Sequence, residues 1–276
     1  MTPQLPCPWV ARDHGQWFTE KFWLHMTDNT SMGGDRDKFP ATRLSLLTST
    51  GSHDLKERQG AYESLIHAYW KPVYKTIRLK WNKSNEDAKD LTQAFFTRVI
   101  EKGFFVRYDP AKARFRTFLR SCLEGFVLNE EKAARRIKRG GAAIMVSLDF
   151  EGAEAELKQT GPVANDAIDA YFEAEWVRSL FSLSIASLQA ELESNGKVIH
   201  FRLFERYALD DSGVAQEINY HALAKEYGLT VSQITNHLAL ARREFRRIVL
   251  EKLRELTVTE EEFRREARSL LEVDIK

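Results

Sequence analysis

Apolar residues recur every three or four positions along most of the chain, which is the spacing of helices that bury one face. The longest such stretch covers residues 62–81, and Pro72 within it should kink or break the helix. Comparable helical patterns cover residues 85–102 and 114–139. Strand-like alternation is absent apart from residues 145–150, which could be extended. The pattern therefore predicts an all-α fold.

The helical patterns separate into two predicted domains and three further segments. One domain occupies residues 39–140 and the other residues 171–256, which agrees with the roughly two domains expected for a chain of 276 residues. An acidic linker of irregular structure, residues 141–170, joins them. Residues 1–38 contain several prolines and predict an irregular extension, within which a later methionine could be the true start. Residues 257–276 predict a C-terminal amphipathic helix.

Residues 223–247 have the pattern of a helix-turn-helix. Gly228 stands where the chain would reverse, and Thr230 forms a capping box with Gln233 for the second helix. The apolar positions of that helix follow a 4-3-4 spacing: Ile234, Leu238, Ala241 and Phe245. This arrangement suits insertion of the second helix into a DNA major groove, and the alternative is an ordinary helical hairpin with a solvated basic face.

Polar residues lie on the outward face of the second helix, and arginines follow them toward its end. Polar side chains early on such a helix can read base edges, while later arginines can anchor phosphates, so this order fits DNA recognition. The outward-facing residues are Ser232, Gln233, Asn236, His237, Arg242, Arg243, Arg246 and Arg247.

The net charge is only +1, from 41 basic and 40 acidic residues, so the whole chain carries no general charge signal for polyanion binding. The two signs are nevertheless segregated. Residues 132–139 hold five cations in eight positions, whereas residues 149–175 hold eight acids against Lys158 alone. Such blocks favour DNA-facing modules joined by an acidic connector, with ordinary solvated surface charge as the alternative.

Motifs for catalysis, cofactor binding or metal binding are missing from the sequence. Cys7 and Cys122 lack disulfide or zinc spacing, the seven histidines are dispersed, and no phosphate-binding loop occurs. No apolar run reaches the roughly 20 residues of a membrane span, and the N-terminus does not read as a signal peptide. The sequence therefore predicts a cytoplasmic protein that is not an enzyme and needs no cofactor or metal. Cys122 is expected to be an unreactive core thiol.

Three segments, in the same order, resemble the extracytoplasmic-function (ECF) sigma factors of bacterial RNA polymerase. Residues 86–102 (EDAKDLTQAFFTRVIEK) look like the polymerase-binding helix of that family, and residues 113–140 are similar to its promoter-melting helix. The helix-turn-helix resembles its reader of the upstream promoter element. The resemblance covers roughly residues 39–256. The segments that further resemble a subgroup abundant in planctomycetes are residues 39–47, 69–74 and 139–149.

The resemblance implies a two-domain, all-α initiation factor with a sigma region-2-like domain and a region-4-like helix-turn-helix domain. The first domain would bind the clamp helices of the largest core RNA polymerase subunit and the melted minus-ten promoter element. The second would read the double-stranded minus-thirty-five element, while the acidic linker would thread the cleft toward the RNA exit path. The implied partners are core RNA polymerase, promoter DNA and an inhibitory protein such as an anti-sigma factor, and no membrane is implied.

The resemblance also implies which residues contact each partner. The polymerase-binding residues would be Asp87, Asp90, Gln93 and Phe96, of which the first three share one predicted helical face. That face could alternatively be a solvated acidic stripe. The minus-ten DNA-binding residues would be Tyr108, Lys112, Arg114, Arg116, Thr117, Arg120, Lys132, Arg135 and Arg136. The minus-thirty-five DNA-binding residues would be Thr230, Ser232, Gln233, Thr235, Asn236, His237, Arg242, Arg243 and Arg246.

The sequence departs from the family pattern at two places. Ala94 stands where many relatives carry glutamate, which predicts a weaker polymerase contact. Thr235, His237 and Leu240 stand where relatives often carry basic residues, which predicts modest affinity for the upstream element or an unusual sequence preference. Two other functions therefore stay open: a stand-alone helix-turn-helix regulator, and a sigma-like interaction protein without promoter activity.

The C-terminal helix has a capping box at Thr259 and Glu262. A helix this short is marginal alone in water, so its apolar face should pack on another surface. An intramolecular dock on the DNA-reading domain is favoured over a dock on a protein partner, because the linker after Leu256 is short. The apolar face consists of Phe263, Ala267, Leu270 and Leu271. An inhibitory partner is expected to cover the polymerase-binding helix or the basic recognition surface.

Overall fold

The computed structural model describes five stretches of the chain, and the statements below concern those residues only. They form helices and connecting turns, with no strand among them, so the all-α prediction is confirmed. They divide into a larger compact unit, from the described parts of residues 31–180 and 253–276, and a smaller unit, from those of residues 181–252. The predicted extension, residues 1–38, lies outside them. The described stretches are residues 43–48, 55–134, 148–160, 163–209 and 220–271.

The described part of the larger unit begins with four helices. They are α1 (Arg43–Thr48), α2 (Leu55–Lys80), α3 (Asn85–Lys102) and α4 (Phe115–Ala134), with a 3₁₀ turn at Phe104–Arg107. Ser84 caps α3, since its hydroxyl oxygen accepts a hydrogen bond from the Asp87 N–H at 3.1 Å. Gly103 ends α3 with a φ of 57°, a conformation that favours glycine. The predicted start and end of this helix are confirmed.

Helix α2 continues across Pro72, so the prediction of a break there is wrong. Proline removes one helical hydrogen bond and crowds the carbonyl four residues earlier. Pro72 is itself buried, as are Tyr69 and Val73, and the Tyr69 ring packs edge-on against Phe115 with centroids 5.6 Å apart. Burial of these side chains offsets the lost hydrogen bond and keeps the helix in one piece.

The segment predicted as an irregular acidic linker contains a helix, α5 (Phe150–Gln159), so the prediction of irregular structure is wrong there. Asp149 caps α5 by accepting a hydrogen bond at 2.9 Å from a backbone N–H three residues on. Phe150 packs edge-on against Trp70 and Tyr74 of α2, with ring centroids 5.2 Å apart in both pairs. The burial of these rings explains why residues 150–159 form a helix despite their acids. A 3₁₀ turn (Asn165–Ala167) and α6 (Ile168–Ser194) follow.

The smaller unit contains the predicted helix-turn-helix. Its elements are the end of α6, then α7 (Val198–Phe204), a π-helical turn (Glu205–Leu209), α8 (Tyr220–Tyr227) and most of α9 (Val231–Glu255). Gly228 has a φ of 66° between α8 and α9, as the turn requires. All four apolar positions of the 4-3-4 spacing are buried, which confirms the predicted inner face of α9: Ile234, Leu238, Ala241 and Phe245.

The predicted C-terminal helix is present as α10 (Glu260–Leu271), and its apolar face is buried. Thr259 caps α10 by accepting a hydrogen bond from the Glu262 N–H at 3.2 Å. The dock is intramolecular, as expected. α10 belongs to the larger unit, which also includes residues 171–180 and 253–256 of the predicted DNA-reading domain. The guanidinium carbon of Arg254 lies 4.5 Å from the Phe263 ring centroid, so the predicted surface forms one part of the dock, but the other part lies outside it. The physical reason is that Glu262 and Glu266 on its buried side pair with phenolic and basic groups of the larger unit.

Candidate functional site

The start of α9 is fixed by the capping box that the sequence predicted. The Thr230 N–H donates to the Gln233 side-chain oxygen at 2.8 Å, and the Gln233 N–H donates to the Thr230 hydroxyl oxygen at 3.2 Å. The Thr235 hydroxyl donates to the Val231 carbonyl oxygen at 2.9 Å. These bonds lie within one helical turn, so they order the backbone without tying the turn to a distant part of the chain.

Four polar side chains of this region are exposed, and we call them the α9 face: Ser232, Gln233, Thr235 and Asn236. The apolar residues between them, Ile234 and Leu238, are fully buried. Within the described part of the chain, no hydrogen bond engages the Asn236 side chain. The α9 face can therefore offer hydrogen-bond donors and acceptors to base edges.

His237 is half-buried and has a partner in α7. Its Nδ1 lies 2.9 Å from Nε2 of His200. Burial lowers the pKa of His200, and the neighbouring His237 and Lys197 lower it further. His200 is therefore neutral near pH 7. The predicted DNA contact through His237 would compete with this ring pair.

The arginines of α9 differ in their exposure. Arg243 is exposed, whereas Arg246 is only 5% exposed and Arg242 lies over the Tyr207 ring, 4.9 Å from its centroid. Arg247 forms ion pairs with acids of its own unit. Of the four arginines predicted to face outward and anchor phosphates, Arg243 is the one best presented to solvent. Arg246 is buried in its unit, so the prediction that it faces outward is wrong.

Three predicted polymerase-binding residues are exposed along one side of α3, and we call them the α3 face: Asp87, Asp90 and Gln93. Asp87 accepts a hydrogen bond from the Ser84 hydroxyl at 2.8 Å, which ties it to the helix cap. Phe96, the fourth predicted residue, is 4% exposed and packs among aromatic rings. Phe96 is therefore part of the core, and the α3 face offers two carboxylates and one amide.

Four of the predicted minus-ten residues, which we call the α4 cluster, are paired with acids from later in the chain: Tyr108, Arg114, Arg116 and Arg120. Arg116 is the most enclosed, at 4% exposure. Its Nη1 lies 2.6 Å from Glu266 Oε2, and its Nε contacts Glu173. Its guanidinium carbon lies 4.2 Å from the Trp176 ring centroid, a cation–π distance.

The other members of the α4 cluster are held in the same way. The Tyr108 hydroxyl donates to Glu262. Arg114 Nε lies 3.4 Å from an oxygen of Glu266. Arg120 Nη2 lies 3.0 Å from an oxygen of Asp169. The cluster is thus an anion-binding surface that carboxylates of the same chain already occupy.

The acids around the α4 cluster favour the ordinary protonation of its side chains. Burial alone would lower the pKa of Arg116, but Glu266 and Glu173 raise it above its ordinary value, so the guanidinium stays charged. Burial and then the Glu262 contact raise the pKa of Tyr108, so its phenol stays protonated. These states match the ion pairs and hydrogen bonds described above.

The remaining predicted minus-ten residues do not join this cluster. Lys112 is exposed and pairs with an acid of its own loop at 3.3 Å. Thr117 is half-buried, and Lys132 is exposed in the last turn of α4. Arg135 and Arg136 lie outside the described residues.

Sequence reasoning missed a network of ion pairs that joins α2 to α5 and α6 within the larger unit. Lys75 is 2% exposed and lies 2.7 Å from both Glu156 and Glu175. Arg78 contacts the Glu154 carboxylate at 2.7 and 3.0 Å. A possible signal was the spacing of these cations along the buried side of α2, where a lone charge would be costly. Spacing alone does not identify the acids that meet them.

No group of three potential metal ligands and no helix that could cross a membrane occurs in the described part of the chain. Cys122 is half-buried, and burial raises the pKa of its thiol to about 11. The reactive thiolate is therefore scarce at neutral pH, in line with the predicted unreactive thiol.

No family model, no curated protein and no solved structure matches this chain. Its function must therefore be inferred from the α3 face, the α9 face and the α4 cluster.

Proposed function

We propose that this chain is an alternative sigma factor that binds core RNA polymerase, recognises promoter DNA and starts transcription of a specific gene set. The observation that carries the proposal is that two exposed polar faces, the α3 face and the α9 face, coincide with two ECF-like motifs of the sequence. Exposed polar groups on ordered helices are what binding of a charged protein partner and of base edges requires.

The α3 face supports the polymerase contact. Carboxylates accept charge-assisted hydrogen bonds from arginines, and a helix holds them at a fixed spacing. Asp90 is exposed, with no hydrogen bond or ion pair to other described residues. Ala94 is also exposed and adds no acid there, so we expect the contact to be weaker than that of relatives with glutamate.

The α9 face supports recognition of a duplex element in the cytoplasm. Gln233 and Asn236 can each form paired hydrogen bonds with adenine, and Arg243 can neutralise a phosphate. Of these three, Asn236 has the most freedom, because the Gln233 side-chain oxygen already accepts the Thr230 N–H. We expect an inhibitory partner, such as an anti-sigma factor, to cover one of the two faces.

Run-off transcription with purified core RNA polymerase and fragments of the host genome tests the proposal. Specific transcripts should require both the chain and the core enzyme, and Asp90→Arg should abolish them. If the chain adds no transcript to those of the core enzyme alone, the proposal is wrong. Gel shift on the same fragments without polymerase would instead reveal a stand-alone helix-turn-helix regulator.

The occupied α4 cluster favours a second candidate, a sigma-like interaction protein without promoter activity. Such a protein would bind core polymerase through the α3 face, yet it would open no promoter because acids fill the surface for the melted strand. Core binding without run-off product, both for the wild-type chain and after the release of α10 described below, would favour this candidate.

A further inference from the structure

Helix α10 covers the α4 cluster with two of its acids. Glu262 and Glu266 are four residues apart and therefore share one helical face. Glu262 accepts the Tyr108 hydroxyl, and Glu266 lies 2.6 Å from Arg116. The same Glu266 is 3.4 Å from Arg114, so one carboxylate serves two guanidinium groups.

Both acids are almost completely enclosed, at 2% exposure for Glu262 and 3% for Glu266. A buried carboxylate is costly unless it is paired, so their placement depends on the α4 cluster. The dependence is mutual, because Arg116 is buried as well and would keep only the half-buried Glu173 as an anionic partner if α10 left. A surface that requires an anion in this way will accept a different anion of suitable geometry.

The groups beneath α10 suit a single-stranded nucleic acid. Arginine binds phosphate through parallel N–H groups, and aromatic rings stack on unpaired bases. Arg114 and Arg116 supply the first kind of contact. Tyr108 and the adjoining half-buried Phe118, with ring centroids 5.4 Å apart, supply the second. The carboxylates of α10 therefore lie where phosphates of such a strand would bind.

The dock of α10 is of a kind that can be reversed. A helix of 12 residues is marginal alone in water, so α10 depends on its contacts and can lose its structure on release. The junction is also imperfectly filled: a cavity of about 10 Å³, room for about one water molecule, is lined in part by Tyr69, Arg116, Trp176 and Glu266.

We propose that α10 is a displaceable intramolecular cover of a groove for single-stranded DNA, with Glu262 and Glu266 in the place of two phosphates. The inference rests on the proposed function in one respect: the natural strand would be the melted strand of a promoter. DNA binding and docking of α10 then exclude each other, so the free chain, in which α10 is docked, binds single strands weakly.

Binding of a fluorescent oligothymidine to the full-length chain tests this inference without polymerase. The double variant Glu262→Gln/Glu266→Gln weakens the dock of α10. It should bind the oligothymidine about tenfold more tightly, because a larger fraction of its molecules has α10 released and can bind the strand. The matched control is Glu260→Gln/Glu261→Gln, which makes the same charge change on the same helix outside the cluster. This control should change affinity less than about twofold, since Glu260 pairs, among the described residues, only with Arg264 of α10 itself, at 3.0 Å, and neither substitution touches the α4 cluster.

A further substitution shows where the strand binds. Arg114→Gln, added to Glu262→Gln/Glu266→Gln, should remove the gain in affinity. Arg98→Gln, added in the same way at an exposed position of α3, should keep most of that gain. Equal gains in the cluster variant and its control, no gain at all, or equal losses from the two arginine substitutions would overturn the inference.

Tryptic cleavage of the wild-type chain gives a test that does not depend on how the variants fold. The cleavage sites in α10, Arg264, Arg265 and Arg268, lie on its exposed side. Saturating oligothymidine should accelerate cleavage there, because a displaced α10 unfolds and fits the protease. Unchanged or slower cleavage would contradict displacement.

Run-off transcription by the same variants separates this inference from the proposed function. Tighter oligothymidine binding without any transcript would support the cover and refute the sigma factor. Transcription by the wild-type chain, with no difference in oligothymidine binding between the variants, would support the sigma factor and refute the cover.

Discussion

The two surfaces predicted to touch DNA differ in what already binds them. The Tyr108 hydroxyl of the α4 cluster donates to Glu262, 154 positions along the chain, and Arg116 pairs with Glu266, 150 positions away. The α9 face is ordered by bonds within its own turn, chiefly between Thr230 and Gln233. One surface is completed by distant parts of the chain, while the other is left open to solvent.

The difference shows that the type of a side chain and its availability are separate properties. Arginine and tyrosine at the start of α4 have the chemistry of nucleic-acid binding, but in this structure that chemistry is used internally. Serine, glutamine and asparagine at the start of α9 carry no charge, yet they can reach a ligand without breaking a long-range contact. Substitutions should therefore affect stability at the α4 cluster and binding at the α9 face.

The largest expected effect is a difference in stability between variants of two arginines, Arg116 and Arg243. Arg116→Ala leaves the buried Glu266 and the half-buried Glu173 without their main partner, which should cost about 3–5 kcal/mol of unfolding free energy. Arg243→Ala removes an exposed side chain 3.6 Å from Glu244 and should cost no more than about 0.5 kcal/mol. Urea unfolding measures both. Similar losses in the two variants would remove the distinction between the surfaces.

The α3 face provides the next test, because it is open like the α9 face. Asp90→Arg places a cation where arginines of the partner are expected, and it should weaken core-polymerase binding about a hundredfold through like-charge repulsion. Melting should not change, since Asp90 is exposed. The control is Glu63→Arg, which makes the same charge reversal at an exposed position of α2. Co-purification at the wild-type level by the Asp90 variant would refute the polymerase contact.

Base reading by the α9 face should produce a smaller and more selective effect. Asn236→Ala should relax the preference at one upstream base by about 1–3 kcal/mol without altering stability. Gln233→Ala should relax the preference at another upstream base. It should also lower the unfolding free energy, because it removes half of the capping box. Arg243→Ala should weaken binding to all DNA sequences alike. It should also lower the slope of log affinity against log salt concentration by about one. Selection from a random duplex library measures these profiles, and identical profiles for Asn236→Ala and Arg243→Ala would contradict the division of roles.

The smallest expected effect is an acid sensitivity of the ion pairs around α5. A hydrogen bond from Arg78 lowers the pKa of Glu154. Burial would raise the pKa of Glu156, but Lys75 and Lys71 lower it overall. A lowered carboxyl pKa stabilises the fold above the unfolded value of about 4.3, and this contribution is lost as pH falls through the folded value.

Melting temperature measured between pH 6 and 3 checks this sign. Stability should fall below about pH 4.3, and Glu156→Gln should flatten the fall, whereas Glu261→Gln at an exposed position should leave it unchanged. A fall that is equally steep in all three proteins would assign the acid sensitivity to other groups.

Local features of this fold could be predicted from the sequence because their causes lie within a few residues. The caps at Ser84, Thr230 and Thr259, the turn at Gly228 and the apolar side of α9 all follow from short spacings. Each involves a hydrogen bond or a periodicity that neighbouring residues determine. The exposed positions of the α3 face and the α9 face follow from the same periodicity.

The features that could not be predicted depend on distant partners. The sequence alone does not distinguish α5 from a linker, because solvated acids and acids paired with distant cations have the same local pattern. In the structure Lys75 and Arg78 of α2 bind Glu156 and Glu154. The part of the α10 dock at Tyr108 and Arg116 could not be predicted for the same reason, since contacts 150 or more positions apart leave no local pattern. The continuity of α2 through Pro72 likewise depends on tertiary packing.

The central claim is that the α3 face and the α9 face bind their partners while α10 leaves the α4 cluster. Amide hydrogen exchange of the full-length chain tests this claim most directly. The chain is compared alone and in a complex with core RNA polymerase and a promoter fragment with a single-stranded minus-ten region. Exchange should become slower in α3 (Asn85–Lys102) and in the first turns of α9, and faster in α10 (Glu260–Leu271). Unchanged exchange in α3 and α9, together with equal or stronger protection of α10, would contradict both the proposed function and the displaceable cover.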